Sequence, residues 1–247
     1  YQGSKAAMKL MSRADVVGGV HFTGDSFLDP ARFLQLLKER VCALGAELHE
    51  HTPVTGFDVA DALREIRAVK TGAGDFEADE VILAAGAWSA GVARDLRLNI
   101  PVQPARGFSL TMSATKQMPA QALLLGERRV AVTPMGDLLR FTGRLEVGLF
   151  GTEPEPRWIR QIEAAVREYI QLDDKLDIKE TWAGLRPTTP DGMPIIGRSP
   201  RYQNLVLATG HAMLGLSLGP GTGQVVADLL TGRKPAFDLG PLRVERF

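Results

Sequence analysis

The residues best suited to chemistry lie between Trp182 and Gly223, in two segments separated by a short apolar run. The first reads WAGLRPTTPDGMPIIGRSP, and in it Arg186 is followed at once by Pro187. Proline forces the residue before it into extended backbone, so Arg186 is expected at the end of a strand. From there its planar guanidinium can grip a carboxylate through two parallel hydrogen bonds. An internal salt bridge is the competing use of the same side chain. The second segment reads ATGHAMLGLSLGPGTG, with Gly210, Gly215, Gly219, Gly221 and Gly223 around His211, Pro220 and Thr222. Glycines at this density ahead of a helix let main-chain N–H groups approach a flat or anionic ligand closely. A tight loop would use them equally well. Their spacing matches neither a Walker loop nor G-x-G-x-x-G.

Other chemistries find less support. His49 and His51 are predicted to share one face of a strand, but no further Cys, His or carboxylate joins them, and solvated strand histidines are the simpler account. There is no G-x-S-x-G, and Cys42, near the end of an amphipathic helix, is expected to be a buried structural thiol. With Cys42 alone, neither an internal disulfide nor a cysteine-based metal site can form.

The elements that must position these residues show in the periodicity. Asp29-Pro30 predicts a helix start, Phe33, Leu36, Leu37, Val41 and Leu44 recur at helical spacing, and Gly45 supplies the stop. Strand signals follow from Ala46, over Pro53–Val59, over residues 64–71 and, after a glycine turn, over Asp75–Ala78. Val81–Ala85 is a continuous apolar run ending at Gly86, which predicts a strand buried on both faces in a parallel sheet. From Pro101 the pattern changes to short alternating segments, at 102–112, 122–125, 129–133, 138–142 and 144–149, with a hairpin turn at Pro134–Asp137. Residues 156–170 form an amphipathic helix with Ile159, Ile162, Ala165, Val166, Tyr169 and Ile170 inward. A strand over 178–185, a buried strand at Leu205–Ala208 and a helix from Gly223 to Leu230 complete the chain. The pattern is α/β, then mostly antiparallel β, then α/β again, in two interleaved domains.

Composition narrows the partners. The 247 residues carry 29 basic and 29 acidic side chains, so net charge gives no basis for binding nucleic acid. No apolar run reaches the roughly 18 residues that span a bilayer, and the first 20 residues lack the pattern of a signal peptide. A soluble cytoplasmic protein is expected, and the lone thiol agrees with a reducing compartment.

Taken together, WAGLRPTTPDGMPIIGRSP and ATGHAMLGLSLGPGTGQVVADLLTG resemble the C-terminal signature of the FAD-dependent D-amino-acid dehydrogenase, glycine oxidase and sarcosine oxidase family. GGVHFTGDSFLDPARFLQLL, TPVTGF, VILAAGAWS and PVQPARGFSLTM match upstream in the same order, and the resemblance covers nearly all of residues 18–235. It implies an interleaved architecture: the end of a substrate-domain segment (1–28), a partial Rossmann-like FAD-binding domain (29–100), an antiparallel-sheet substrate domain (101–181) and a return to the FAD-binding domain (182–247). It implies that Arg186 grips the substrate carboxylate. It implies that Gly210–Gly223 lies against the flavin ring, where hydrogen bonds stabilise negative charge on the reduced cofactor. Val54 corresponds to a main-chain contact at the adenine end, and Ala85, Gly86, Ala87 and Trp88 to a loop near the pyrophosphate. His211 has a structural role in this reading. The implied reaction oxidises an amino acid at its Cα–N bond, with D-amino acids or a cyclic imino acid as substrates.

Two departures qualify the resemblance. The family's opening strand, G-x-G-x-x-G and helix are not found; Val16-Val17-Gly18-Gly19-Val20 is too short and lacks the third glycine. Tight FAD binding is therefore expected to need a further segment, lost by truncation or supplied by a second chain, and a cofactor-free carboxylate-binding module is the alternative. An apolar, unpaired sheet face is expected to favour self-association. Where the glycine-oxidase branch has an active-site tyrosine the chain has Ala131, which leans toward the dehydrogenase-like branch. Members that feed a respiratory chain rest on the inner membrane face, although no long basic amphipathic helix here argues for that.

Overall fold

The structure, a computed structural model, describes residues 16, 18–114, 118–148 and 150–247. Residues 1–15 and Val17 lie outside that set, and with them most of the opening segment and part of the run at 16–20. The chain forms two compact units. Mixed α/β structure with antiparallel sheets is observed, as the periodicity predicts.

The first unit holds Arg106–Glu146 and Phe150–Gly184 with the described residues before Leu44. Its centre is a five-stranded sheet built from β5 (Gln103–Ser113), β6 (Leu123–Leu125), β7 (Val130–Met135), β8 (Leu138–Val147) and β9 (Ile178–Thr188), in the order β6-β7-β8-β5-β9. Two strands expected at 138–142 and 144–149 are one continuous β8. Alternation turns Phe108, Leu110 and Met112 of β5, Val130 and Val132 of β7, and Leu139 and Phe141 of β8 into one core. The helix over Pro156–Arg167 covers it with Ile159, Ile162, Ala165 and Val166, and Tyr169 and Ile170 follow just past the helix end. Gly143 fits that closeness: a Cβ there would stand 3.0 Å from Val130 Cγ2 and 3.4 Å from Ile162 Cγ1, a tight contact.

Immediately after Gly143 the alternation of β8 slips. Arg144 takes φ +65°, and beyond it Leu145 faces out while the Glu146 side chain is only 14% exposed. A left-handed residue inside a strand shifts the pleat by one, as a β-bulge does. The shift brings Glu146 to Arg106, which donates to it from Nε (3.1 Å) and Nη2 (2.6 Å). Trp158 Nε1 (2.8 Å) and Arg157 Nη2 (2.9 Å) donate to the same carboxylate, and Arg106 also reaches Glu155. The guanidinium of Arg106 chiefly, with Trp158 and Arg157, holds the Glu146 carboxyl below its ordinary range.

The second unit contains Leu44–Ala105 and Leu185–Phe247. The strands β1 (Val54–Ala60), β2 (Glu65–Thr71) and β3 (Gly74–Glu77) form an antiparallel meander. A second sheet has the order β10-β11-β4, from β10 (Ile195–Arg198), β11 (Leu205–Thr209) and β4 (Val81–Leu83). Here β11 runs antiparallel to β10 and parallel to β4, with Leu205 opposite Val81 and Leu207 opposite Leu83. Val81, Leu83, Leu205 and Leu207 are buried with Ile66, Leu96, Ile195 and Tyr202. Asn204 joins the two sheets reciprocally, accepting from the Ile66 N–H (2.9 Å) and donating to the Ile66 carbonyl (2.8 Å).

Several expectations are corrected. The strand β4 is parallel as predicted, but Ile82 is exposed, so it is buried on one face only. No strand covers residues 46–51; His49 and His51 lie in an exposed turn where His51 has φ +55°. The helix α1 (Pro30–Ala43) is capped by Asp29 Oδ1, which accepts from the N–H groups of Ala31 and Arg32. Most of its apolar stripe is exposed, however, and none of its residues is buried. Cys42 is therefore exposed rather than a buried thiol. The C-terminal helix begins at Gly215, eight residues before the predicted Gly223. No described helix is long and apolar enough to cross a membrane.

Two stability outcomes follow from this core. Phe141→Ala should cost about 3–5 kcal/mol in urea unfolding, the range for deleting a fully buried ring. Glu146→Gln should cost about 1–3 kcal/mol at neutral pH. Because the folded pKa of Glu146 is depressed, its contribution is present above the unfolded carboxylate pKa and is lost as pH falls through the folded value. Wild type and variant should thus converge in acid, as unfolding midpoints measured against pH would show.

Candidate substrate and cofactor site

Parallel pairing of β11 with β4 sets two carboxyl ends side by side, the place where open α/β sheets hold ligands. The chain leaves β4 through Ala85 into a short 3-10 turn over Gly86–Trp88, and leaves β11 at Gly210. Buried hydroxyls lock the two exits together. Ser89 Oγ lies 2.7 Å from Thr209 Oγ1, and Thr209 Oγ1 donates to the Gly86 carbonyl at 3.2 Å. Glycine is needed at both exits, where φ is +53° at Gly86 and +78° at Gly210. At Gly210 a Cβ would also come within 2.7 Å of Thr189 Cγ2.

The loop after β11 is tied to the exit of β9. The Ala212 N–H donates to the Pro187 carbonyl at 2.9 Å, one residue beyond Arg186. His211 Nε2 lies 2.9 Å from Thr222 Oγ1, and burial pushes the imidazole below its ordinary pKa, so it is neutral at pH 7. Beyond it runs the C-terminal helix over Gly215–Leu230, with Pro220 inside it. Its first N–H groups have no intrahelical acceptor, and Pro220 has no N–H to offer the carbonyl four residues earlier. Residues 213–221 are exposed, and a Cβ on Gly219, Gly221 or Gly223 would meet nothing within 4 Å. The glycine run therefore presents bare, open backbone.

Along β9, alternation places Trp182, Gly184 and Arg186 on one face. The Trp182 indole occupies the space where a Cβ on Gly184 would stand. Arg186 is half-buried; its Nη1 is out of solvent and has no hydrogen-bond partner. Burial lowers its pKa, yet a guanidinium remains a cation at neutral pH. No described carboxylate pairs with it, so the internal salt bridge that competed with ligand binding is not made. A desolvated cation without a counter-ion is costly, and an incoming anion relieves that cost.

Hydrogen bonds thus join Gly86 to Thr209 and Ala212 to Pro187, and bring His211 to Thr222. Val54 is the first residue of β1 in the meander. Trp88 is largely exposed at the end of its turn. The hydroxyls of Ser89, Thr189 and Thr209 were not among the predicted residues. Isolated Ser and Thr in buried strands and turns carry no spacing signal, and only the fold shows what they bond. Among the described residues no group of three His, Cys, Asp or Glu could hold a metal ion.

Comparison with known proteins places the chain in a family. The FAD dependent oxidoreductase family matches residues 3–229, and the chain belongs to that family. It is 33% identical to D-amino acid dehydrogenase of Bradyrhizobium diazoefficiens over 232 residues, covering 93% of this chain and 54% of that protein. A D-amino acid dehydrogenase of Paramagnetospirillum magneticum is also 33% identical, over 95% of this chain and 56% of its own length. The chain thus spans about half the length of these curated relatives. Among solved structures, glycine oxidase from Geobacillus kaustophilus superposes with TM-score 0.79 at 27% identity, over 86% of this chain and 57% of that one. L-Proline dehydrogenase from P. horikoshii shares the fold with TM-score 0.87 at 23% identity, over 98% and 66% of the two chains.

Gly210→Ala tests the loop. Left-handed backbone alone should cost about 1–2 kcal/mol, and contact with Thr189 should add to it. The lowered unfolding midpoint should be accompanied by loss of ligand binding at the β11 exit, while Gly219→Ala should leave the midpoint within about 1 kcal/mol of wild type.

Proposed function

We propose that the chain supplies the substrate grip and one wall of the flavin site of an FAD-dependent oxidoreductase that oxidises the Cα–N bond of an amino acid. The observation that carries this reading is the Arg186 Nη1, out of water and without a partner on the strand that ends beside the glycine loop. In this role Arg186 holds the substrate α-carboxylate by a charge-assisted fork and fixes the direction of the Cα–H bond.

The donor set suits a flavin at the carboxyl ends of β4 and β11. Gly219, Gly221 and Gly223 offer open backbone, Gly210 and Gly215 turn the chain into the helix that Pro220 and Thr222 shape, and Ala85, Gly86, Ala87 and Trp88 form the adjoining turn. Val54 is assigned to the adenine end by family resemblance alone. A bound flavin supplies the chemistry itself, acceptance of hydrogen with its electron pair from Cα. The N-terminal dipole of the Gly215–Leu230 helix favours negative charge beside it. His211, neutral and tied to Thr222, serves as a positioning residue that keeps the loop against the helix. No side-chain base is required when the substrate amine reacts in its neutral form. The product imino acid then hydrolyses in water to an oxo acid and ammonia or an amine.

D-Amino acids or a cyclic imino acid are the proposed substrates, which the D-amino acid dehydrogenase relatives support. Ala131, on β7 opposite Leu124 and Thr142, offers no phenol to a ligand and favours a dehydrogenase over glycine oxidase.

The test uses the full protein that carries this chain, loaded with FAD. Flavin absorption should persist after removal of excess cofactor and bleach anaerobically with a D-amino acid. Arg186→Ala should weaken substrate binding roughly 10- to 150-fold while flavin is retained. Unchanged substrate affinity in that variant would remove Arg186 from the role.

A further inference from the structure

We infer that Arg144 is a second anion-binding residue, one that takes a carboxylate. Its Nε, on β8, is out of solvent and has no hydrogen-bond partner, a condition that Arg186 Nη1 alone shares among buried side-chain polar atoms of the described residues. Nor does any described residue form an ion pair with it. Buried polar atoms in folded proteins are nearly always satisfied, so an orphaned guanidinium nitrogen points to a group that arrives from outside.

The neighbouring charges explain why no internal partner is available. Arg140, four residues earlier on the same strand, donates to Glu180 and to Thr111 Oγ1, each at 3.0 Å. Glu146, two residues later, already accepts from Arg106, Arg157 and Trp158. Glu155 is taken by Arg106 and Arg157. Each carboxylate on or bonded to this part of β8 has its cation, and Arg144 is the cation left over.

Backbone geometry adds an independent observation. Arg144 has φ +65°, a conformation that glycine adopts freely and an L side chain adopts at a cost. The pleat shift that carries Glu146 to Arg106 needs that conformation but not a side chain. A five-donor side chain held at a strained site with nothing inside to bond is suited to a planar anion.

The anion is a carboxylate of its own, bound apart from the one assigned to Arg186, and the site does not rest on the proposed function.

The experiment titrates the FAD-loaded full protein with acetate, following calorimetric stoichiometry. Arg144→Gly and Arg186→Ala are compared with wild type. Glycine relieves the strain at 144, so Arg144→Gly should unfold at or above the wild-type midpoint, and any lost binding is not lost folding. Two acetates should bind per chain, and each variant should lose one. Arg144→Gly that binds two acetates like wild type overturns the site, while loss of one acetate in Arg186→Ala would still uphold the proposed function. The reverse pattern, loss only in Arg144→Gly, upholds Arg144 and removes Arg186 instead. Absence of any carboxylate binding to wild type overturns both.

Discussion

Parallel pairing of β11 with β4 is the constraint on which the candidate site depends. Two parallel neighbours must expose their carboxyl ends at the same edge, so the Gly86 turn and the Gly210 loop become adjacent by topology rather than by any affinity for each other. The buried hydroxyl pair of Ser89 and Thr209 then fixes their separation. Antiparallel pairing would have sent the same two loops to opposite ends of the sheet.

The charges of the first unit follow a second logic. Arg106, Arg128, Arg140, Arg157 and Arg167 each meet a glutamate. Arg106 with Glu146 is the buried pair among them, and breaking it would leave one charge stranded. Against that background an arginine nitrogen buried without a partner is informative. Among the described residues, Arg144 Nε and Arg186 Nη1 are the buried side-chain polar atoms left without a partner.

The apolar surface is the third feature. Leu36, Leu37 and Val41 of α1, and Met213, Leu214 and Leu216 at the start of the C-terminal helix, are exposed. The helical spacing of the α1 residues is sound, since Asp29 caps the helix and Gly45 ends it at φ +93°. Amphipathic spacing specifies that a helix has an apolar face, but not what will cover it.

Local chemistry settled much of this protein. The αL-compatible glycines, the proline after Arg186, the capping aspartate and the alternation in β5, β7 and β8 are each encoded within a few residues, and all were legible in the sequence. The order of motifs likewise marked the family. What only the tertiary structure decided involves residues far apart in the chain. Leu205 opposite Val81, Asn204 bridging to Ile66 and Ser89 meeting Thr209 leave no local spacing to recognise. The helical state of Gly215–Gly223 was hidden because Gly and Pro disfavour helix locally, and tertiary context overrode that preference. Arginine type and position left Arg186 open to either use, carboxylate grip or salt bridge, with the salt bridge favoured. The choice between them turned on whether an acidic group came near in three dimensions, and pairing across a fold cannot be read from one residue's neighbours in sequence.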